Sequence, residues 1–87
     1  MKVRVKYFAG VRQLLGGIEE EEYEVENSTT LVELLHRHIP ERHGGYYWIP
    51  ASRLYMILIN NSVPKGDLKQ ELKDKDVVAV FPSVGGG

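Results

Sequence analysis

The residues with the clearest chemical potential stand at the end of the chain. Positions 81–87 read Phe81-Pro82-Ser83-Val84-Gly85-Gly86-Gly87, and the group they present is the Gly87 carboxylate. Glycines contribute little to a core, because they have no side chain to bury and lose the most backbone freedom on ordering. They do suit threading: without a Cβ, the last three residues can enter a constriction on another protein where any other residue would collide. An α-carboxyl has an unperturbed pKa of about 3.3–3.7, so at pH 7 it is an anion and a poor electrophile. Acyl chemistry at Gly87 therefore requires prior activation, for instance as a mixed anhydride. Terminal glycines in general are more often frayed ends, so the weight of this reading rests on what precedes them.

Other candidate chemistry is thin. His36, His38 and His43 invite a metal-site reading, but His36 and His38 stand two apart on a helix and do not share a face. No carboxylate or thiolate completes a set, so solvated histidines are the simpler expectation. With no cysteine among 87 residues, disulfides and cysteine nucleophiles are excluded. Gly16-Gly17 is followed by no Gly-Lys-Ser/Thr and reads as a turn rather than a phosphate loop. Tyr46-Tyr47-Trp48 reads as a segment folded onto the core or as an aromatic recognition patch, with packing the simpler expectation. The acidic run Glu19 to Glu22 reads as a solvated loop leading into a strand.

Eleven basic and twelve acidic residues leave a net charge of −1. The one basic row, Lys2, Arg4 and Lys6, is explained by a solvated strand face, which speaks against nucleic acid as a partner. No apolar run reaches the ~18–20 residues of a membrane span, and the start lacks a signal-peptide core. A cytoplasmic protein with no membrane partner is expected.

The elements that must position the tail follow from periodicity. Val3, Val5 and Tyr7 alternate with Lys2, Arg4 and Lys6, predicting a strand with one buried face. Val11, Leu14 and Leu15 predict a short helical turn closed by Gly16-Gly17. Tyr23 and Val25, alternating with Glu22, Glu24 and Glu26, predict a second strand. Thr30-Leu31-Val32-Glu33 is a capping box, and Leu31, Leu34, Leu35 and Ile39 form the apolar stripe of the main helix. Pro40 is expected to end that helix at Ile39. A loop over 41–52 leads to a central strand over 53–59, a tight turn at Asn60-Asn61, and a connection anchored by Leu68 and Leu72. Val77 to Phe81 is the last strand, and Pro82 should release an extended tail. The predicted core includes Val5, Leu34, Leu35, Ile57 and Val78 or Ala79. The order β–(short helix)–β–α–β–(irregular)–β predicts an α+β, β-grasp fold, a mixed four- or five-stranded sheet on one main helix, with a domain over 1–81 and a tail over 82–87.

Three blocks then resemble a known family, the ubiquitin-like sulfur carriers, and most closely its molybdopterin synthase small subunits. Residues 7–16 are similar to the family's Phe-Ala-x-x-Arg-x-Leu-x-Gly segment, and residues 30–35 to the start of its helix. Residues 72–87 are similar to its end, L-x-D-G-D-x-V-A-x-F-P-P-V-x-G-G. Lys75 stands where the family favours glycine and Ser83 where it often has proline. The loop 43–50 has no counterpart in shorter members.

The resemblance implies a carrier with no catalysis or bound cofactor of its own. A ubiquitin-activating-type (MoeB-like) adenylating enzyme would use ATP to adenylate Gly87, and sulfur would replace AMP to leave a thiocarboxylate. A larger (MoaE-like) subunit of molybdopterin synthase would then receive the tail, with Phe81, Pro82, Val84, Gly85 and Gly86 at the contact. Phe81 is read equally as an interface residue or as the last core side chain of its strand. A protein modifier, a tRNA-thiolation or thiamine sulfur carrier, and a plain interaction module are the alternatives.

Overall fold

The structure is a computed structural model that describes residues 1–44, 55–65 and 67–82. Its strands are β1 (Lys2–Tyr7), β2 (Glu20–Glu24), β3 (Tyr55–Ile59) and β4 (Val77–Pro82). They form one sheet in the order β2-β1-β4-β3. β1 is antiparallel to β2 and parallel to β4, and β4 is antiparallel to β3. Those directions make β3 parallel to β2, so the chain between them must cross the sheet over β1 and β4. The main helix makes that crossing and buries its stripe on one sheet face, as the expected β-grasp arrangement requires. Val3, Val5 and Tyr7 of β1, Ile57 and Ile59 of β3, and Val78 and Val80 of β4 meet Leu31, Leu34, Leu35 and Ile39 in one core. Among the described residues no helix is long and apolar enough to cross a membrane.

The short helix α1 (Ala9–Leu14) follows β1 and closes on Gly16 and Gly17, both with positive φ. The main helix, α2, spans 31–42, longer than the sequence suggests. Its start is as predicted: the Glu33 N–H donates to Thr30 Oγ1 (3.3 Å) and the Thr30 N–H donates to Glu33 Oε1 (2.9 Å). The bond from the Thr30 backbone holds the Glu33 carboxyl below the usual range.

Pro40 does not stop α2. The helix widens first, with a π segment over Leu34–His38 in which the Ile39 N–H donates to the Leu34 carbonyl, and then resumes over Ile39–Arg42. A proline inside regular helix lacks the N–H for the carbonyl four residues back, and its ring collides with that carbonyl. The wider turn just before Pro40 relieves both problems locally. Burial supplies the incentive, since Ile39 and Pro40 are both enclosed. Widening also shifts the faces of the last turn by about one residue, which bears on Arg42 and His43 below.

Two turns carry their own signature. Asn60 and Asn61 have φ of 51° and 67°, joining β3 to Ser62 through the tight turn their side chains favour. Lys75 has φ of 72°, which accounts for the family's glycine at that place. Leu72 is buried and Leu68 packs on the core beside a 3₁₀ turn over Asp67–Lys69, as the irregular connection predicts. The strand start at Arg53 and nearly all of the loop 43–50 lie outside the described residues.

Candidate functional site

The sheet has one face under α2 and one face turned outward, and the outward face is striped. β2 contributes Glu20, Glu22 and Glu24, and β1 contributes Lys2, Arg4 and Lys6. The register sets Lys2 opposite Glu24, Arg4 opposite Glu22 and Lys6 opposite Glu20. Each base on this half thus stands opposite an acid, although among the described residues only Arg4 closes an ion pair there. Arg4 Nε lies 3.2 Å from Glu20 Oε2, a half-exposed pair that adds little stability but occupies both charges.

The other half is apolar. On β4 the residues out of phase with buried Val78 and Val80 are Val77, Ala79 and Phe81. On β3 they are Leu58, opposite Ala79, and Met56, opposite Phe81 and 44% exposed. An open groove of about 320 Å³ runs along β4, lined by Val77, Ala79 and Phe81, by Lys6 and Phe8 on the β1 side, and by Asn60 and Asn61 at its end.

Phe81 is therefore not the last core side chain of its strand. It is half-buried, lies outside the core cluster and stacks on Phe8, with ring centroids 4.4 Å apart and planes 9° from parallel. Phe8 leaves β1 in extended conformation, and its N–H donates to the Val80 carbonyl (3.1 Å), which sets the two rings side by side. Arg12 of α1 donates from Nε to the Tyr7 carbonyl (3.2 Å) and so ties the helix back to the strand that presents Phe8. The Phe-Ala-x-x-Arg motif thus belongs to the site. Its arginine fixes the turn and its phenylalanine widens the aromatic surface.

Pro82 closes β4, paired in register with Tyr55, one residue later than the sequence suggests. Lacking an N–H it suits a last strand position. Val84, Gly85, Gly86 and Gly87 lie outside the described residues. The structure thus brings Phe81 and Pro82 to one end of the sheet, beside Phe8 and α1.

Sequence reasoning missed a second cluster on the inner side. Glu21 is not part of a solvated run; its side chain is 10% exposed. Its Oε2 accepts from Tyr7 Oη (2.7 Å), Tyr23 Oη (2.9 Å) and His43 Nε2 (2.9 Å). An ionised carboxylate only accepts, so Nε2 is the protonated ring nitrogen here. Arg42 adds a guanidinium 3.8 Å above the Tyr23 ring and a bond to the Glu22 carbonyl (2.8 Å).

Burial tends to raise the Glu21 pKa, but the bonds from His43, Tyr7 and Tyr23 outweigh it and hold the carboxyl below its usual range. Burial, together with donation to this carboxylate, pushes the Tyr7 phenol far up. Tyr23 also moves up, mainly through burial. Both phenols stay neutral donors, and the cluster clasps the end of α2 to β2.

His43 is accordingly not a solvated histidine; His36 is partly exposed, with its Nε2 buried and without a hydrogen-bond partner among the described residues, and His38 Nε2 lies 3.2 Å from Arg37 at the surface. The available signal was period two: Glu21 shares the inward phase of Tyr23 and Val25. Among the described residues no three metal-ligating side chains come together.

The ThiS family profile matches residues 5–87. The chain belongs to the ThiS family. A Pyrococcus furiosus protein assigned as molybdopterin converting factor, subunit 1, is 36% identical, with 95% of this chain and 98% of that one covered and a TM-score of 0.75. In the Helicobacter pylori complex of subunits 1 and 2 of molybdopterin-converting factor, the matching chain is 27% identical, fully covered on both sides, with a TM-score of 0.65. A chain of the Amycolatopsis orientalis BexX/CysO complex is 25% identical over 98% of this chain and 99% of that one, with a TM-score of 0.68. No curated protein sequence matches this one. The chain is thus a ubiquitin-like β-grasp protein of the ThiS/MoaD sulfur carrier family.

Proposed function

We propose that this protein is the small, non-catalytic subunit of a molybdopterin synthase. It carries sulfur as a thiocarboxylate on Gly87 for molybdenum or tungsten cofactor biosynthesis. One observation carries the reading: β4 bears the uncovered apolar groove and continues, directly after Pro82, into Ser83-Val84-Gly85-Gly86-Gly87. A partner that grips the groove is thereby aligned with the carboxylate. Five residues beyond Pro82 reach at most about 17 Å when extended, enough to enter a buried pocket. Apolar anchors beside a captured carboxylate are an economical way to hold such a tail.

The chemistry divides between proteins. In an adenylating enzyme the Gly87 carboxylate attacks the α-phosphorus of ATP and pyrophosphate leaves. Sulfide-level sulfur (hydrosulfide or its equivalent, delivered by a donor) then attacks the acyl carbon, AMP leaves, and the product is the Gly87 thiocarboxylate. In the larger synthase subunit the thiocarboxylate sulfur bonds to the pterin precursor in place of a leaving group. Water then hydrolyses the resulting acyl thioester, so that the sulfur stays on the pterin and Gly87 returns as a carboxylate. This chain contributes the acyl group, its delivery and the docking face. The identity to the P. furiosus protein and the two-protein assemblies of the other relatives support this division.

Deleting Gly86 and Gly87 should abolish ATP–pyrophosphate exchange with the adenylating enzyme of the same organism while leaving the melting temperature unchanged. A truncated protein that still supports exchange would sink the carrier reading. Thiocarboxylated protein mixed with the larger subunit and precursor should lose mass by the difference between sulfur and oxygen. Gly87 found instead in isopeptide linkage to lysines of other proteins would favour the modifier reading.

A further inference from the structure

The groove along β4 carries a charge that the fold leaves unanswered. Lys6 stands midway along it, opposite Ala79 in the register, between the aromatic pair at one end and the Asn60-Asn61 turn at the other. Its cross-strand neighbour on β2 is Glu20, and that carboxylate is engaged by Arg4 at 3.2 Å. Lys6 makes no ion pair or side-chain hydrogen bond among the described residues. Asn60 is unavailable as a second polar handle, since Nδ2 donates to Asp76 Oδ1 (2.9 Å) and Oδ1 accepts from the Val77 N–H (2.9 Å). The Asn61 amide makes no side-chain hydrogen bond among the described residues. The groove therefore offers an apolar floor of Val77, Ala79 and Phe81, one ammonium at its middle and one free amide at its end.

Resting on the reading above, we infer that the adenylating enzyme docks in this groove a segment that sets a carboxylate against Lys6, flanked by apolar side chains. The apolar contacts supply area, and the single charge fixes the register of the segment along the strand. A cation on a partly desolvated face favours a partner carboxylate and rejects a lysine or arginine by like-charge repulsion. The neighbouring acidic and basic stripes do not compete, because their charges already face one another. Arg4 acts as a positioning residue, keeping Glu20 from closing on Lys6.

The test is binding of the full-length chain to the adenylating enzyme by titration calorimetry, at low and high salt, with pyrophosphate exchange measured alongside. Lys6→Glu should weaken binding more than tenfold, and Lys6→Gln should weaken it several-fold and flatten its salt dependence. Lys2→Glu, on the same stripe but outside the groove, should bind like the natural chain. Glu20→Gln should bind equally well or slightly better. Lys6 variants that bind normally, or a loss equal to that of Lys2→Glu, would overturn the inference while the carrier reading stood, provided that the natural chain supports exchange. Absence of exchange by the natural chain would overturn both. Lys6→Gln avoids a like-charge pair with Glu20, so a folding defect in Lys6→Glu cannot mask the outcome.

Discussion

The two faces of the sheet are built from the same four strands and meet opposite fates. The inner face is finished: its valines and isoleucines are enclosed by the leucines of α2, and its inward carboxylate, Glu21, accepts from two phenols and an imidazole. The outer face is finished only toward β2, where bases stand opposite acids and Arg4 pairs with Glu20, leaving Lys6 at the boundary. Its β3–β4 half leaves Met56, Leu58, Phe81 and the Phe8 ring accessible, with Lys6 beside them. A domain with this much buried apolar surface has no need to leave the second half open for stability. The contrast locates function where the fold stops compensating itself.

The strongest way to break this contrast is on the inner face. Leu34→Ala should cost about 2–5 kcal/mol of unfolding free energy, because the residue is fully enclosed and the surrounding core can relax only in part. Chemical denaturation would read it. A loss as small as that of an outer-face variant would mean that the helix does not close the core as described.

Glu21→Ala should cost about 1–3 kcal/mol, leaving the Tyr7, Tyr23 and His43 donors without their carboxylate. It should also change the acid limb of the stability curve. The folded pKa of Glu21 lies below its unfolded value of about 4.3. Its contribution is therefore complete above that value and is lost as pH falls through the folded one. The natural chain should lose stability more steeply than the variant over that interval, as denaturation at a series of pH values would show. Parallel curves would remove Glu21 from the account.

Phe81→Ala reverses the pattern. It should cost only about 1 kcal/mol of stability, the scale of one aromatic stacking contact. Binding to the larger subunit should weaken at least about tenfold, as expected for a central anchor. Stability falling as far as in Leu34→Ala would place Phe81 in the core after all. The smallest effect belongs to Lys75→Gly, which should raise stability by about 0.5–1 kcal/mol by relieving a left-handed backbone, with no change in binding. A loss would show that the lysine side chain contributes more than its backbone costs.

Alternation and helical spacing in the sequence were sufficient for β1, the α2 stripe, the capping box, the Asn60-Asn61 turn and the core at Val5, Leu34, Leu35, Ile57 and Val78. These are local properties: a period of two or of 3.6 residues, or the dihedral preference of one side chain, acts wherever the segment lies. The family motif at residues 72–87 drew attention to the Gly87 carboxylate for the same reason, since a motif is read from consecutive residues. Three features needed the third dimension. Pro40 inside α2 is tolerated because burial of Ile39 and Pro40 outweighs a local preference, and a widened turn absorbs the clash. Glu21 became a buried clasp only when β1 and the end of α2 brought residues 7 and 43 to the oxygen atom that Tyr23 already reaches from two positions along β2, across sequence gaps that no periodicity spans. Phe81 could be core or surface in one dimension. Its place outside the core followed from the phase of β4 and the Phe8 ring arriving from β1, and burial of this kind is a property of neighbours that only the folded sheet supplies.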